Sequence, residues 1–330
     1  MKKDIYIFKS GDLKRKDNTI YFQHDEGKKY LPVEEIDNLY IFGEINLNKK
    51  VLDFLSQNEI CIHFFNYYGY YSGTYYPREH LNSGYVILKQ AENYLNYSKR
   101  IYIARNIIKS AINNILNNLK YYNRKNIDLK SEIEKIENNL EKLDNCSTIN
   151  EIMAYEGNTR NIYYECFNKI IINKDYEFTS RTRRPPKDKI NALISFGNSL
   201  MYSTVLSQIY KTHLDPRIGY LHSTNERRFT LNLDIAEIFK PIIVDRMIFS
   251  MINKKILSDN DYIQELNGIL LNENGRKKLL TDYNKRLLTV IIHPNLKRQI
   301  TYKTIIKLEL YKIQRFITEE EQLNFFKGRW

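Results

Sequence analysis

From Ile60 to Leu95 the chain reads ICIHFFNYYGYYSGTYYPREHLNSGYVILKQAENYL, and its hydrophobic period changes partway along. Ile60 to Phe65 is a dense apolar run of strand length, interrupted only by His63, the pattern of a strand covered on both faces. Gly69 and Gly73 supply hairpin turns, and Pro77 closes the unit. From about Gly84 the period becomes helical. Leu88, Leu95, Ile103, Ile107, Ile108 and Ile115 fall along one stripe, which predicts a long amphipathic helix over residues 85–121. A β-rich unit of residues 1–80 therefore gives way to a larger all-helical unit of residues 81–330, an α+β chain of two domains.

Upstream of this switch the signs are short alternating runs. Ile5-Tyr6-Ile7-Phe8 and Thr19-Ile20-Tyr21-Phe22 read as strands, and Leu39-Tyr40-Ile41-Phe42 as a buried one. Leu47, Val51, Leu52 and Leu55 recur at helical spacing, predicting one helix over 47–57. Downstream, Leu129, Ile133, Ile136, Leu140 and Leu143 step by four and three, as in one arm of an antiparallel helical hairpin. Thr148 and Glu151 form a capping box that starts a helix running to about residue 172. Residues 174–187 read as a loop, 188–213 as a helix, and 234–254 as a helix that passes through Pro241. Residues 260–326 read as further helices, with Gly268, Gly275 and Pro294 as breaks.

Composition narrows the class. The 330 residues are 42% hydrophobic and 27% charged, as in globular chains. No apolar run approaches the roughly 18 residues a membrane span needs, and the start of the chain lacks a signal-peptide apolar stretch. We expect a cytoplasmic protein with no membrane partner. Three unpaired cysteines, Cys61, Cys146 and Cys166, fit a reducing compartment. The net charge of +12 is unevenly spread. Residues 1–80 hold eleven Lys and Arg against twelve Asp and Glu, so the whole excess lies beyond them. A polyanion facing the second unit explains that split; codon bias would act on both alike.

The residues suited to phosphodiester chemistry are few. Glu156 lies in a helix and is followed by Gly157, a helix-weakening residue that suggests close backbone approach. His222 follows a loop containing Pro216 and Gly219. Asp234 and Glu237 are one helical turn apart, a spacing that also suits an N-cap and its third-position partner. Spacing alone does not gather these residues into one site. The loop with Arg181, Arg183, Arg184 and Lys187 holds four cations in seven residues and no acid. Residues 276–315 hold eleven cations against Asp282 and Glu309. Both stretches suit phosphate contact.

At these residues the chain resembles the CRISPR-associated adaptation integrases, as found with type I-B systems. The likeness runs through Phe42-Gly43-Glu44-Ile45, Phe64 to Gly73, Ser83-Gly84, Gln90-Ala91, Lys99-Arg100, Glu156-Gly157, Asn191 to Gly197, Asp215 to His222, and Leu231 to Pro241. The resemblance implies Glu156, His222 and Glu237 as catalytic metal ligands for Mg²⁺ or Mn²⁺, with Asp234 as a supporting acid. Many members carry aspartate where Glu237 stands. It implies a homodimer formed through the β-rich unit, a small ferredoxin-like partner subunit, and double-stranded and CRISPR repeat DNA as substrates. The implied reaction is transesterification, joining short DNA fragments as new spacers at a repeat boundary. A general metal-dependent endonuclease, a transposon-borne integrase of the same fold and a non-catalytic DNA clamp are the alternatives.

Overall fold

The computed structural model describes residues 2–78, 81, 83–224, 229–265, 267–293 and 296–328; Pro294, expected as a break, lies outside them. The chain forms two compact units, Met1–Asn82 and Ser83–Trp330.

The first unit contains two four-stranded sheets around one core. β1 (Lys3–Ile7), β5 (Ile36–Ile41), β7 (Cys61–Phe65) and β8 (Tyr71–Tyr75) lie in that order, parallel except for the β7–β8 hairpin. β4 (Gly27–Pro32), β3 (Thr19–His24), β2 (Gly11–Lys16) and β6 (Ile45–Leu47) make the other sheet. The dense apolar runs at 39–42 and 60–65 are central strands or their ends. Alternation appears instead in β3, where Ile20 and Phe22 point inward. α1 (Lys49–Gln57) is capped by Asn48 and buries Val51, Phe54 and Leu55. These join Ile7, Leu13, Ile20, Leu39 and Ile62 in a single apolar cluster.

In the second unit the helix expected over 85–121 is two helices, α2 (Gly84–Leu95) and α3 (Tyr97–Asn123). Asn96 breaks them. Its side chain accepts the Lys99 amide at 3.1 Å, and an asparagine that caps the next helix cannot continue the previous one. α4 (Lys130–Lys142) and α5 (Ile149–Glu165) pack against α3, and α6 (Phe167–Ile170) follows. Thr148 and Glu151 form the expected capping box. α7 (Lys189–Ile209) starts from the Asp188 N-cap. α8 (Leu231–Lys240) and α9 (Arg246–Asn253) are joined by a π-helical turn, Pro241–Asp245. The expected start of this helix at Asp234 is three residues late, so Asp234 is interior and not a cap. Residues 260–326 are less helical than their spacing implied. Two short hairpins, β9 (Tyr262–Glu265) with β10 (Gly268–Leu271) and β11 (Val290–Ile292) with β12 (Gln299–Thr301), alternate with α10 (Glu273–Leu287) and α11 (Tyr302–Glu319). Strands of three or four residues are too short to establish a period of two.

α3 is the axis of this unit and is buried along most of its length. Two of its buried side chains hold the backbone around Pro241, a residue with no amide hydrogen of its own. Asn114 Nδ2 donates to Ile238 O at 2.9 Å and Asn118 Nδ2 to Pro241 O at 2.7 Å. Among the described residues no helix is long and apolar enough to cross a membrane. All three cysteines are free and buried, and burial pushes the Cys166 thiol up to about 12.

Gly197 marks where α7 meets the π turn: a Cβ there would stand 2.6 Å from Val244 Cγ1. Gly197→Ala should lower stability by about 1–3 kcal/mol through overpacking. Adding Val244→Ala should return most of it, read as the urea midpoint of both variants. A destabilisation unchanged by the second substitution rules out this contact as its cause.

Candidate active site

Three segments meet at the site: α5 with Glu156 and Arg160, the loop Asp215–His222, and α8 with Asp234, Glu237 and Lys240. The loop has no regular structure, so side chains hold it. Gln90 accepts the Asp215 amide at 2.9 Å and donates to Asp215 O at 2.9 Å and Ile218 O at 2.7 Å. Arg100 Nε donates to Tyr220 O at 2.9 Å. Thr230 Oγ1 accepts from the Gly219 amide at 2.9 Å and donates to Arg217 O at 2.8 Å.

The loop closes on Asp234, which is fully buried. Its Oδ2 accepts the amides of Tyr220 at 2.6 Å and Leu221 at 3.0 Å. Its Oδ1 accepts the His222 amide at 3.0 Å and faces His222 Nδ1 at 2.7 Å. A carboxylate can only accept, so Nδ1 carries the proton in that bond and Nε2 is the nitrogen Asp234 does not engage. Gly219 permits the approach, since a Cβ there would lie 2.8 Å from Asp234 Oδ2. Burial pushes the His222 pKa down, but the hydrogen bond and charge of Asp234, helped by Glu237, outweigh it and raise the pKa above its ordinary value.

One turn along α8, Glu237 is also buried. Its Oε2 meets Arg160 Nη2 at 2.5 Å, and its Oε1 pairs with the Lys240 ammonium. The Arg160 guanidinium, 9% exposed, also reaches Glu156 Oε1 through Nε at 3.1 Å and lies 3.8 Å from Asp245 Oδ2. One side chain therefore gathers carboxylates from α5, α8 and the π turn. Burial would raise Glu237, but Lys240 and Arg160 pull it down to about 2. Asp245 lacks such close partners, and burial pushes it up to about 6 against the pull of Arg160. The Lys240 ammonium also sits 4.8 Å from the centre of the Tyr202 ring.

Glu156 and Glu237 are thus joined by Arg160, and His222 is joined by Asp234 to the helix that carries Glu237. The donor types suit a divalent ion: two carboxylates and an imidazole nitrogen opposite a carboxylate-held one. Among the described residues, however, no three His, Cys, Asp or Glu side chains stand together as a metal-holding group. Glu156 and Glu237 are drawn onto the fixed cations instead.

Several expectations change here. Gly157 is not a point of close approach: a Cβ there meets nothing within 4 Å. Asp234 is a loop-binding acid and not an N-cap; Thr230 precedes the helix. In the basic loop, Arg181 is turned inward, donating to Asn191 Oδ1 at 2.8 Å and Ser195 Oγ at 3.0 Å. Asn191 steadies the same loop through the Thr182 amide at 3.0 Å and Ser180 O at 2.7 Å. Arg183, Arg184 and Lys187 are exposed. Sequence reading missed Arg160 and Lys240. The usable signal was their spacing, four residues after Glu156 and three after Glu237, which places each beside its carboxylate on the helix.

Residues 5–285 match the family model described as CRISPR associated protein Cas1. The chain is 54% identical over 330 residues, all of both proteins, to the CRISPR-associated endonuclease Cas1 2 of Thermodesulfovibrio yellowstonii. It superposes on the CAS1 protein from Thermotoga maritima with a TM-score of 0.87 at 43% identity, covering 99% of this chain and 100% of that one. A casposase bound to integration product has a TM-score of 0.88 at 21% identity over 99% of this chain and 94% of that one, a likeness of fold.

Two outcomes test the site's electrostatics. Asp234→Asn should cost about 3 kcal/mol, because an amide cannot accept every bond this carboxylate takes. It should also lower the His222 titration midpoint, followed by NMR. An unchanged midpoint excludes Asp234 as the cause of the shift. Glu237 is held at about 2 against an ordinary 4.5, so its ion pairs stabilise the fold fully above pH 4.5 and fade as pH falls toward 2. Glu237→Gln should lose less stability than wild type across that window, with divalent ions chelated.

Proposed function

The chain belongs to the Cas1 family of CRISPR-associated proteins, and we propose that it is a metal-dependent DNA integrase and endonuclease that inserts short fragments as new spacers at the boundary of a CRISPR repeat. The observation that carries this reading is the convergence on α8. Asp234 fixes His222, and Arg160 ties Glu156 to Glu237 one turn away. A general endonuclease and a transposon-borne integrase would use the same residues and differ in product.

Glu156, Glu237 and His222 Nε2 are the groups that would hold Mg²⁺ or Mn²⁺. When bound, such an ion polarises a phosphoryl oxygen and offsets the charge that builds up there. The chain's own residues do the rest. Asp234 sets the orientation and tautomer of His222. Arg160 and Lys240 keep Glu237 ionised at any physiological pH, despite its burial. They also keep fixed positive charge beside a phosphodiester bound at the site, a preorganised form of charge stabilisation. In the reaction we assign, a 3′-hydroxyl of the captured fragment forms a new P–O bond at the repeat phosphodiester while the bond to the repeat strand's own 3′-oxygen breaks and that oxygen leaves as a 3′-hydroxyl; water in place of the attacking hydroxyl gives cleavage.

The split in charge supports a division of labour. The near-neutral first unit is assigned to homodimer formation, and the basic second unit to double-stranded DNA. Arg183, Arg184 and Lys187 are exposed cations of the loop before α7 and are assigned to phosphates. Arg181 supports them by fixing the loop to α7. A small ferredoxin-like subunit completes the assembly in the cytoplasm.

A strand-joining assay on a repeat-bearing plasmid tests this reading. Glu156→Ala, His222→Ala and Glu237→Ala should each remove joined product while circular dichroism stays native. Charge reversal at Arg183, Arg184 and Lys187 should weaken binding and reduce the dependence of log K on log salt by roughly three. Full joining by any of the three alanine variants removes that residue from the site. Cleavage without joining by the wild type points to a plain endonuclease.

A further inference from the structure

Between Asp282 and Glu309 the chain carries Lys285, Arg286, Lys297, Arg298, Lys303 and Lys307 and not one acidic residue. The β11–β12 ribbon lies inside this stretch. Val290 pairs with Thr301 and Ile292 with Gln299, so these four residues share one face of the ribbon. Val290 is 53% exposed and Ile292 67%, with Leu288 and Leu296 exposed beside them. Ile291 and Ile300, on the opposite face, are half-buried. The fold uses the inner face and leaves the outer apolar face unspent.

Hydrogen bonds hold the described residues at both ends of the ribbon. At the tip, the His293 amide donates to Arg298 O and the Lys297 amide to His293 O, both at 2.9 Å. The Leu296 amide donates to His293 Nδ1 at 3.1 Å. His293 is buried, its ring 6.3 Å from that of Phe326. At the base, the Tyr302 amide donates to Thr289 O at 3.3 Å. Lys285, Lys297 and Arg298 are exposed and make no ion pair among the described residues. The result is an exposed apolar face edged by exposed cations.

We propose that this ribbon enters a groove of duplex DNA, with Val290, Ile292 and Leu296 against base edges and sugars and Lys297 and Arg298 on the flanking phosphates. The inference rests on the DNA-directed reading above and deepens it by naming a contact element. The charge pattern selects the occupant. A second copy of this face would bring Lys297 and Arg298 against their own equivalents, so self-association is opposed. A polyanion is favoured, and the major groove is wide enough for a two-stranded ribbon. There, apolar side chains such as Val290 and Ile292 can meet the thymine methyl group.

The test uses the full-length chain and a labelled repeat duplex. Lys297→Ala with Arg298→Ala should lower the slope of log K against log salt by about two. Val290→Ser with Ile292→Ser should weaken binding about tenfold with the slope unchanged, since burial of apolar surface is insensitive to counterions. Melting should match wild type, because these side chains are exposed. A photoreactive benzophenone amino acid in place of Ile292 should cross-link to the duplex. Wild-type affinity and slope in both double variants, with no DNA cross-link, overturns the proposal. So does a cross-link to a second copy, or cation-dependent capture by anionic phospholipid vesicles with duplex binding intact. If the wild type itself fails to bind the duplex, the DNA-directed function falls as well. If it binds and the variants match it, only the ribbon's role falls.

Discussion

A single buried carboxylate organises the candidate site of this molecule. Asp234 takes three consecutive backbone amides and the imidazole of His222, and in doing so converts an irregular loop into a fixed shelf on α8. The cost of burying that charge is offset only because every donor around it is already in place. Gly219 is the steric condition for the arrangement, Thr230 pins the loop behind it, and Gln90 and Arg100 hold it from α2 and α3. If these supports loosen, His222 loses both position and tautomer.

Arg160 plays the matching role one turn along α8. It touches carboxylates from α5 and, far along the chain, from α8 and the π turn that follows it, while Lys240 secures the second oxygen of Glu237. Buried charges of this kind are tolerable when each has close partners. Glu237, in contact with Lys240 and Arg160, is pulled down to about 2, whereas burial pushes Asp245, with Arg160 3.8 Å away, up to about 6. α3 holds the same region without charge. Its buried asparagines donate to Ile238 O and Pro241 O and so tie α3 to the helix that bears the site.

Much of this was legible from residues alone. The shift from strands to helices near residue 80, the helix over 47–57 and the capping box at Thr148 all rest on short-range patterning, which sequence displays directly. The helix over 85–121 failed at Asn96 because a cap and an ordinary helical asparagine look alike until the next turn is seen. The hairpins after residue 260 failed because three-residue strands carry too little periodicity. Arg181 was grouped with its basic neighbours by composition, yet its geometry ties it to α7.

By itself, the sequence determined the two-unit architecture, the basic character of the second unit, and the residue types able to perform phosphodiester chemistry. These follow from period, charge and side-chain identity, which need no partner to be read. The tertiary structure alone decided that Asp234 binds a loop instead of capping a helix, that Arg160 links Glu156 to Glu237, and that Val290 and Ile292 face outward. Each of those depends on which groups meet once the chain has folded, and burial and hydrogen bonding are settled by such meetings.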